Sequence, residues 1–111
     1  MPDQRWKLVV TKLAERQLHE ITDLRVRDSL KETISNLAHH PEEQGKPLLN
    51  ELAGDRSVRA LGQRYRVIFK TESTKVTVYV VSLGLRKAGS KVDVYEVARK
   101  LMRLALDKKP E

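Results

Sequence analysis

The chain has 111 residues, three histidines, no cysteine and a formal net charge of +7 at pH 7. This length suits one modest core, so we expect residues 1–111 to form a single domain. Without cysteine there is neither a disulfide framework nor a thiolate metal site, and the histidines are scattered. The sequence therefore predicts a protein without a bound metal ion or other cofactor.

The positive charge belongs to the second half of the chain. Residues 1–55 hold 8 Lys/Arg against 10 Asp/Glu, whereas residues 56–111 hold 14 against 5. Such a field attracts nucleic acid, an anionic membrane surface or an acidic protein partner. The start, "MPDQRWKLVV", is too charged for a signal peptide, and the longest uncharged run has only 10 residues. We therefore expect a soluble, cytoplasmic protein.

The first half reads as a strand followed by a helical hairpin. "RWKLVV" (5–10) is a short strand candidate, and Thr11 offers an N-cap for a helix with the apolar residues Ala14, Leu18 and Ile21. Asp23 is expected to cap a second helix that ends near Pro41 and has an apolar stripe of Val26, Leu30, Ile34 and Leu37. The stretch "PEEQGKPLLNELAGDR" then reads as a connecting loop with one short apolar turn.

The second half reads as a sheet followed by one helix. From residue 56 the apolar period becomes two, and "RSVRAL", "RYRVIFKT" and "TKVTVYVVSL" predict an antiparallel meander. "SKVDVYEVARKLMRLAL" begins with Ser90 and Asp93 at capping-box spacing, and Asp93 is expected to serve as a helix cap. The segment predicts a terminal helix packed on the sheet. The predicted fold class is α+β, with a small antiparallel sheet, an N-terminal helical hairpin and a C-terminal helix.

The stretch "SVRALGQRYRVIF" (57–69) concentrates cations at a strand turn. If "GQ" is a two-residue loop in which Gly62 adopts a positive φ, Arg59 pairs directly with Arg66. At roughly 5 Å and an effective dielectric near 20, two such charges repel by about 3 kcal/mol before the side chains splay. The alternation predicts Arg64 and Arg66 on an open face, while the apolar set faces the helices.

Two interpretations of these arginines are open. In the first, the long side chains bend into water and form an ordinary solvated face. In the second, they bind phosphate, because the planar donor fork of guanidinium suits a phosphodiester or a phosphorane-like transition state. Residues 56–91 hold nine Lys/Arg and a single acid, Glu72, whereas a solubilising face normally mixes signs. The charge pattern favours phosphate binding.

With these features the chain resembles the RelE/ParE superfamily of bacterial toxins, specifically the RelE-like mRNA endonucleases of type II toxin-antitoxin pairs. The similarity extends from "RWKLVVTKLAERQL" to "VYEVARKL" and includes "HPEEQGKPLLNELAGDRSVR", "RYRVIF" and "VTVYVVSLGLRK". It implies a metal-independent endoribonuclease that cleaves mRNA in the ribosomal A site by attack of a ribose 2′-OH on the adjacent phosphate. It also implies a cognate antitoxin protein, bound in a heteromeric complex.

The resemblance assigns roles to individual residues. Arg66 would stabilise the scissile phosphate, Arg86 would assist the leaving group, and Tyr95 would contact the target base. Arg59 occupies a strand position that has been proposed to accept a proton in RelE, but a guanidinium is a poor base. A second basic strand position of RelE aligns with Ser57. Tyr95 is equally compatible with packing its ring on the sheet.

Further cations are candidates for binding nucleic acid. Arg64 lies beside the arginine pair, and Lys87 and Lys91 lie in a loop that is longer than in RelE. Either lysine could take over proton transfer if the cationic surroundings lower its pKa.

Two alternatives to the nuclease use the same fold or the same charges. One is a ParE-like inhibitor of DNA gyrase, and the other is an RNA-binding module without catalysis. Arginines at both family positions, together with Tyr95, favour the nuclease.

Overall fold

The computed structural model describes residues 5–107, with side chains to residue 104. In this part of the chain the strands are β1 (Lys7–Val10), β2 (Lys46–Pro47), β3 (Arg56–Ala60), β4 (Tyr65–Glu72) and β5 (Thr77–Leu85). The α-helices are α1 (Lys12–His19), α2 (Leu24–Asn36) and α3 (Val94–Asp107). None of these helices has the length and hydropathy to span a bilayer.

The first two helices begin at the predicted caps. The Thr11 hydroxyl accepts a hydrogen bond from the Ala14 N–H at 3.2 Å, and the Asp23 carboxylate accepts one from the Arg25 N–H at 3.0 Å. Each cap satisfies a backbone donor that the first helical turn leaves free. Ile21, predicted on the stripe of α1, lies just beyond the helix but still packs against the core.

The five strands form one sheet in the order β1-β5-β4-β3-β2. Strands β3, β4 and β5 form the predicted antiparallel meander, and the α+β class is confirmed. However, β1 runs parallel to β5, so the sheet is mixed and not wholly antiparallel. The helical hairpin and a loop separate β1 from the meander, and local alternation does not reveal which strand β1 joins or in which direction.

The stretch predicted as a connecting loop contains the edge strand β2. Lys46 pairs with Ser57 across the antiparallel β2–β3 contact. Gly45 has φ +65°, and a Cβ there would lie 2.1 Å from the Ser57 carbonyl oxygen, so only glycine allows this approach. Arg56 Nε donates to the Gln44 carbonyl oxygen at 3.0 Å and further ties the segment to β3.

The two faces of the sheet are covered by different helices. The α1–α2 hairpin packs on one face, as predicted, and the buried core there includes Ala14, Leu30, Ile34, Leu37, Val67, Phe69, Val78, Val80 and Leu83. The other face was expected to be open, but α3 covers its centre through a second cluster of Leu52, Ile68, Val94 and Ala98. The end of this face near the arginine hairpin remains open and forms a cleft.

Helix α1 also covers the edge of β5 beyond the end of β1. The Thr11 hydroxyl donates to the Val81 carbonyl oxygen at 2.9 Å, and Gln17 Oε1 accepts from the Leu83 N–H at 2.9 Å. These side chains replace the missing strand partner. The end of β5, which leads directly to Arg86, is thereby fixed.

Candidate active site

The arginine hairpin has the predicted register. Arg59 pairs with Arg66, and Ala60 pairs with Tyr65. Gly62 has the expected positive φ of 67°, but Leu61 also has a positive φ of 50°. A side chain in this conformation costs about 1 to 2 kcal/mol, so the turn holds local strain that the prediction missed.

Arg59 and Arg66 line an open cleft of about 520 Å³ between β2, the hairpin and the start of α3. We call it the arginine cleft. Its polar lining consists of Lys46, Ser57, Arg59, Arg66, Arg86 and Tyr95. The charged side chains in this lining are all cations, which makes the cleft a focus of positive potential.

The two paired arginines differ in their surroundings. Arg66 Nη1 donates to the carbonyl oxygens of Gln63 at 2.7 Å and Tyr65 at 3.2 Å, so its guanidinium is held at the hairpin loop. Arg59 remains exposed. The facing pair therefore offers one anchored and one exposed donor fork to an anion.

Arg86 and Tyr95 meet at the opposite side of the cleft. The Arg86 guanidinium carbon lies 4.9 Å from the centroid of the Tyr95 ring, within cation–π range. The Tyr95 and Ser57 hydroxyls share a hydrogen bond of 2.8 Å. Tyr95 is half-buried, so it packs on the sheet and at the same time lines the cleft.

Asp93 lies behind this pair and is only 2% exposed. Its carboxylate accepts hydrogen bonds from Arg86 Nη1 at 2.7 Å and from the N–H groups of Lys87 and Tyr95. Burial alone would raise the pKa of Asp93, but these hydrogen bonds outweigh it and hold the pKa below its ordinary value. Asp93 is the predicted cap of α3, whereas Ser90 lies before the helix, which begins at Val94.

The other predicted cations lie outside the arginine cleft. Arg64 is exposed in the hairpin loop, where its carbonyl oxygen accepts from the Arg86 N–H at 2.8 Å. Lys91 lines a neighbouring cleft of about 240 Å³, which shares Arg86 and Tyr95 with the first. Lys87 is exposed and lines neither cleft.

A family model matches residues 8–88, and its family is described as the ParE toxin of the type II toxin-antitoxin system parDE. The chain belongs to this family. No curated protein sequence matches the toxin.

Solved toxin structures share the fold. A chain of the toxin-antitoxin complex RelBE2 from Mycobacterium tuberculosis is 28% identical with a TM-score of 0.67, covering 77% of this chain and 98% of that one. A mutant of E. coli RelE in the free state is 18% identical with a TM-score of 0.66, covering 90% and 98%. A chain of the chromosomal ParDE toxin-antitoxin system from P. aeruginosa is 16% identical with a TM-score of 0.62, covering 74% of this chain and 97% of that one. The protein is therefore a type II toxin of the RelE/ParE superfamily.

Two features of the toxin's site were not predicted. Lys46 is a fourth cation in the arginine cleft, placed beside Ser57 by the β2–β3 pairing. The glycine before it was the available signal, although a close backbone approach does not reveal its partner. Asp93 was expected only to cap α3, and its contact with Arg86 depends on how the loop between them folds.

The cleft is suited to binding a phosphodiester and stabilising extra negative charge on it. Within residues 5–107, no group of three His, Cys, Asp or Glu side chains is placed to hold a metal ion. The cleft lining includes neither a carboxylate nor a histidine. A proton transferred in the cleft would therefore have to pass to or from a lysine, Tyr95, water or a group outside the toxin.

Proposed function

We propose that this toxin is a ribosome-associated mRNA endonuclease that inhibits translation. The supporting observation is that Arg59, Arg66, Arg86 and Tyr95 line one cleft whose charged lining is entirely cationic. A ribose 2′-OH would attack the adjacent phosphate, and the phosphate would gain charge in the transition state. Preorganised guanidinium groups are suited to stabilise that charge.

Each cleft residue has a proposed role. Arg66, anchored at the hairpin loop, stabilises the scissile phosphate, and Arg86 neutralises the leaving oxygen from the other side. Tyr95 contacts the target base with the open part of its ring. Arg59 contributes positive potential and is not a base, since guanidinium stays protonated.

The cations around the cleft bind the flanking RNA backbone. Arg64, Lys87 and Lys91 have this role, and the three are exposed. Lys91 is also the proposed proton acceptor, because it lines the cleft that shares Arg86 and Tyr95. Lys91→Met is expected to abolish cleavage while leaving RNA binding mostly intact, and unchanged cleavage would exclude that role.

The toxin is also proposed to pair with a cognate antitoxin. The M. tuberculosis relative was solved as a toxin-antitoxin complex, and the P. aeruginosa one is a ParDE toxin-antitoxin system. An acidic or amphipathic antitoxin segment would neutralise the basic half of the chain. Residues 1–111 would act as one toxin domain in the cytoplasm, where translating ribosomes are found.

Inhibition of DNA gyrase is the second candidate function. It is favoured by the family model, which is that of a ParE toxin. In that case the cationic surface would contact a protein or a protein–DNA complex, and no RNA would be cut. Supercoiling by purified gyrase, measured with and without the toxin, tests this directly.

The deciding experiment is primer extension across a defined mRNA in a cell-free translation system, with and without ribosomes. The wild type should produce discrete cuts only with ribosomes. Arg66→Ala should reduce cutting by about 100-fold or more, as expected when a preorganised transition-state donor is lost. Arg25→Ala, which removes the same charge from the exposed side of α2, should cut like the wild type. Uncut mRNA together with inhibited supercoiling would move the assignment to gyrase.

A further inference from the structure

Asp93 has more contacts than a helix cap requires. Among the side chains that the structure describes, it is the one charged residue in the buried class. A cap needs one acceptor, and Asp23 performs that task for α2 from an exposed position with a single bond to the Arg25 N–H. Asp93 caps α3 through Oδ2 and uses Oδ1 for two more donors, Arg86 Nη1 and the Lys87 N–H.

These contacts join the end of β5 to the start of α3. Arg86 and Asp93 are seven residues apart in the chain. Tyr95 is fixed at both ends, because its N–H bonds to Asp93 Oδ2 and its hydroxyl bonds to Ser57. One buried carboxylate therefore sets the position of both the guanidinium and the ring beneath it.

The bond to Asp93 leaves part of the Arg86 donor fork available. Only Nη1 is engaged by Asp93, and Nε and Nη2 have no hydrogen-bond partner within the described part of the chain. A free arginine side chain occupies many rotamers, and ordering it has an entropy cost. Anchoring one nitrogen at 2.7 Å removes most of that cost before substrate arrives.

We propose that Asp93 is a positioning residue that holds Arg86 over the Tyr95 ring, with its free donors directed to a phosphate in the arginine cleft. This inference rests on the proposed function of the cleft. Asp93 does not touch the substrate and acts through Arg86. The lowered pKa of Asp93 supports the inference, since the carboxylate stays charged throughout the neutral range.

The test is a double-mutant cycle of Asp93→Asn and Arg86→Ala in steady-state cleavage of one codon on programmed ribosomes. Asparagine is an equally good helix cap, so its amide oxygen should still accept from the Tyr95 N–H. Its amide nitrogen would replace Oδ1, which removes the bonds to Arg86 and to the Lys87 N–H. Asp93→Asn should lower kcat about tenfold or more with KM nearly unchanged, because the bond acts through a transition-state contact. In the Arg86→Ala background the same change should lower kcat less than about twofold.

Asp23→Asn is the matched control, since it alters a cap of the same type far from the cleft, and it should leave cleavage unchanged. A general structural role for Asp93 would instead lower kcat by the same factor in both backgrounds. That result, or wild-type activity of Asp93→Asn, would overturn the proposal.

A measurement independent of cleavage separates this inference from the proposed function. Carboxyl ¹³C NMR should show Asp93 titrating at a higher pH in Arg86→Ala than in the wild type, because burial then acts with less opposition. An unchanged titration would show that Asp93 does not hold Arg86. If the wild type does not cut mRNA, the proposed function fails and the role in cleavage fails with it, while the titration still decides whether the Asp93–Arg86 bond exists.

Discussion

The two faces of the sheet differ in burial and in charge. Against the α1–α2 hairpin, Val67, Phe69 and Val80 are fully buried. On the other face, α3 covers a smaller patch around Ile68, and beyond it Arg59 and Arg66 face each other across the hairpin. The core on one face therefore stabilises a fold whose other face holds like charges together at a cost.

Such a division is expected of a small domain with a functional site. Net stability is only about 5 to 15 kcal/mol, so an unfavourable charge pair of a few kcal/mol needs an efficient core elsewhere. Preorganised cations are useful because their repulsion is already present before an anion binds. Mutations on one face should therefore leave the role of the other face largely unchanged.

The largest effect on stability should come from the buried face. Phe69→Ala is expected to lower the free energy of unfolding by about 3 to 5 kcal/mol, because it leaves a cavity in the core. Arg66→Ala, three residues earlier on β4, should change it by less than about 1 kcal/mol. Urea unfolding followed by circular dichroism measures both. Similar losses of unfolding free energy in the two variants would show that both faces contribute equally to stability.

Removing one arginine of the facing pair should stabilise the protein and impair its function. Arg59→Gln is expected to raise the free energy of unfolding by about 0.5 to 1 kcal/mol through relief of cross-strand repulsion. The gain should shrink in high salt, which screens exposed charges. Urea titrations at two salt concentrations, with Arg25→Gln as the control, measure it. A loss of stability would mean that Arg59 makes a favourable contact.

Two acids should respond to pH in opposite ways. The pKa of Asp93 is lowered, so its stabilising contribution is complete above the unfolded value near 4 and is lost as pH falls through the lower folded value. Burial raises the pKa of Asp55, and the nearby charge of Lys70 opposes this with a smaller effect. The ionised carboxylate therefore destabilises the folded protein, and this destabilisation disappears as pH falls through the raised pKa. As pH falls from 7 to 3, Asp93→Asn should therefore lose less stability than the wild type, and Asp55→Asn should lose more. Free energies of unfolding measured across this pH range test both expectations. A change in the same direction would contradict the pKa directions.

The smallest effect should come from replacing Lys46, the cleft cation that the sequence did not predict, and it should appear in the salt dependence of RNA binding. If Lys46 binds one phosphate of single-stranded RNA, Lys46→Gln should reduce the magnitude of the log–log salt slope of binding by about 0.7. Fluorescence anisotropy between 50 and 200 mM salt measures the slope. Lys31→Gln, on the exposed side of α2, should leave it unchanged. An unchanged slope in Lys46→Gln would remove this residue from the binding site.

The predicted parts of the fold and site depended on residues close together in sequence. The caps at Thr11, Asp23 and Asp93 and the pairing of Arg59 with Arg66 follow from patterns spanning a few residues. The predicted site residues Arg59, Arg66, Arg86 and Tyr95 line one cleft, although their placement together followed from family resemblance and not from spacing. Their chemical roles stay predictions.

The sequence by itself determined the three helices, the strands other than β2, the helix caps, the hairpin register and the concentration of cations, because local hydrogen bonds and side-chain periodicity are encoded in neighbouring residues. Only the tertiary structure decided that β1 runs parallel to β5, that Lys46 lies beside Ser57, and that the Tyr95 and Ser57 hydroxyls meet. The last of these pairs is 38 residues apart. Contacts at such separations depend on how whole elements pack, and no short pattern in the chain specifies that packing.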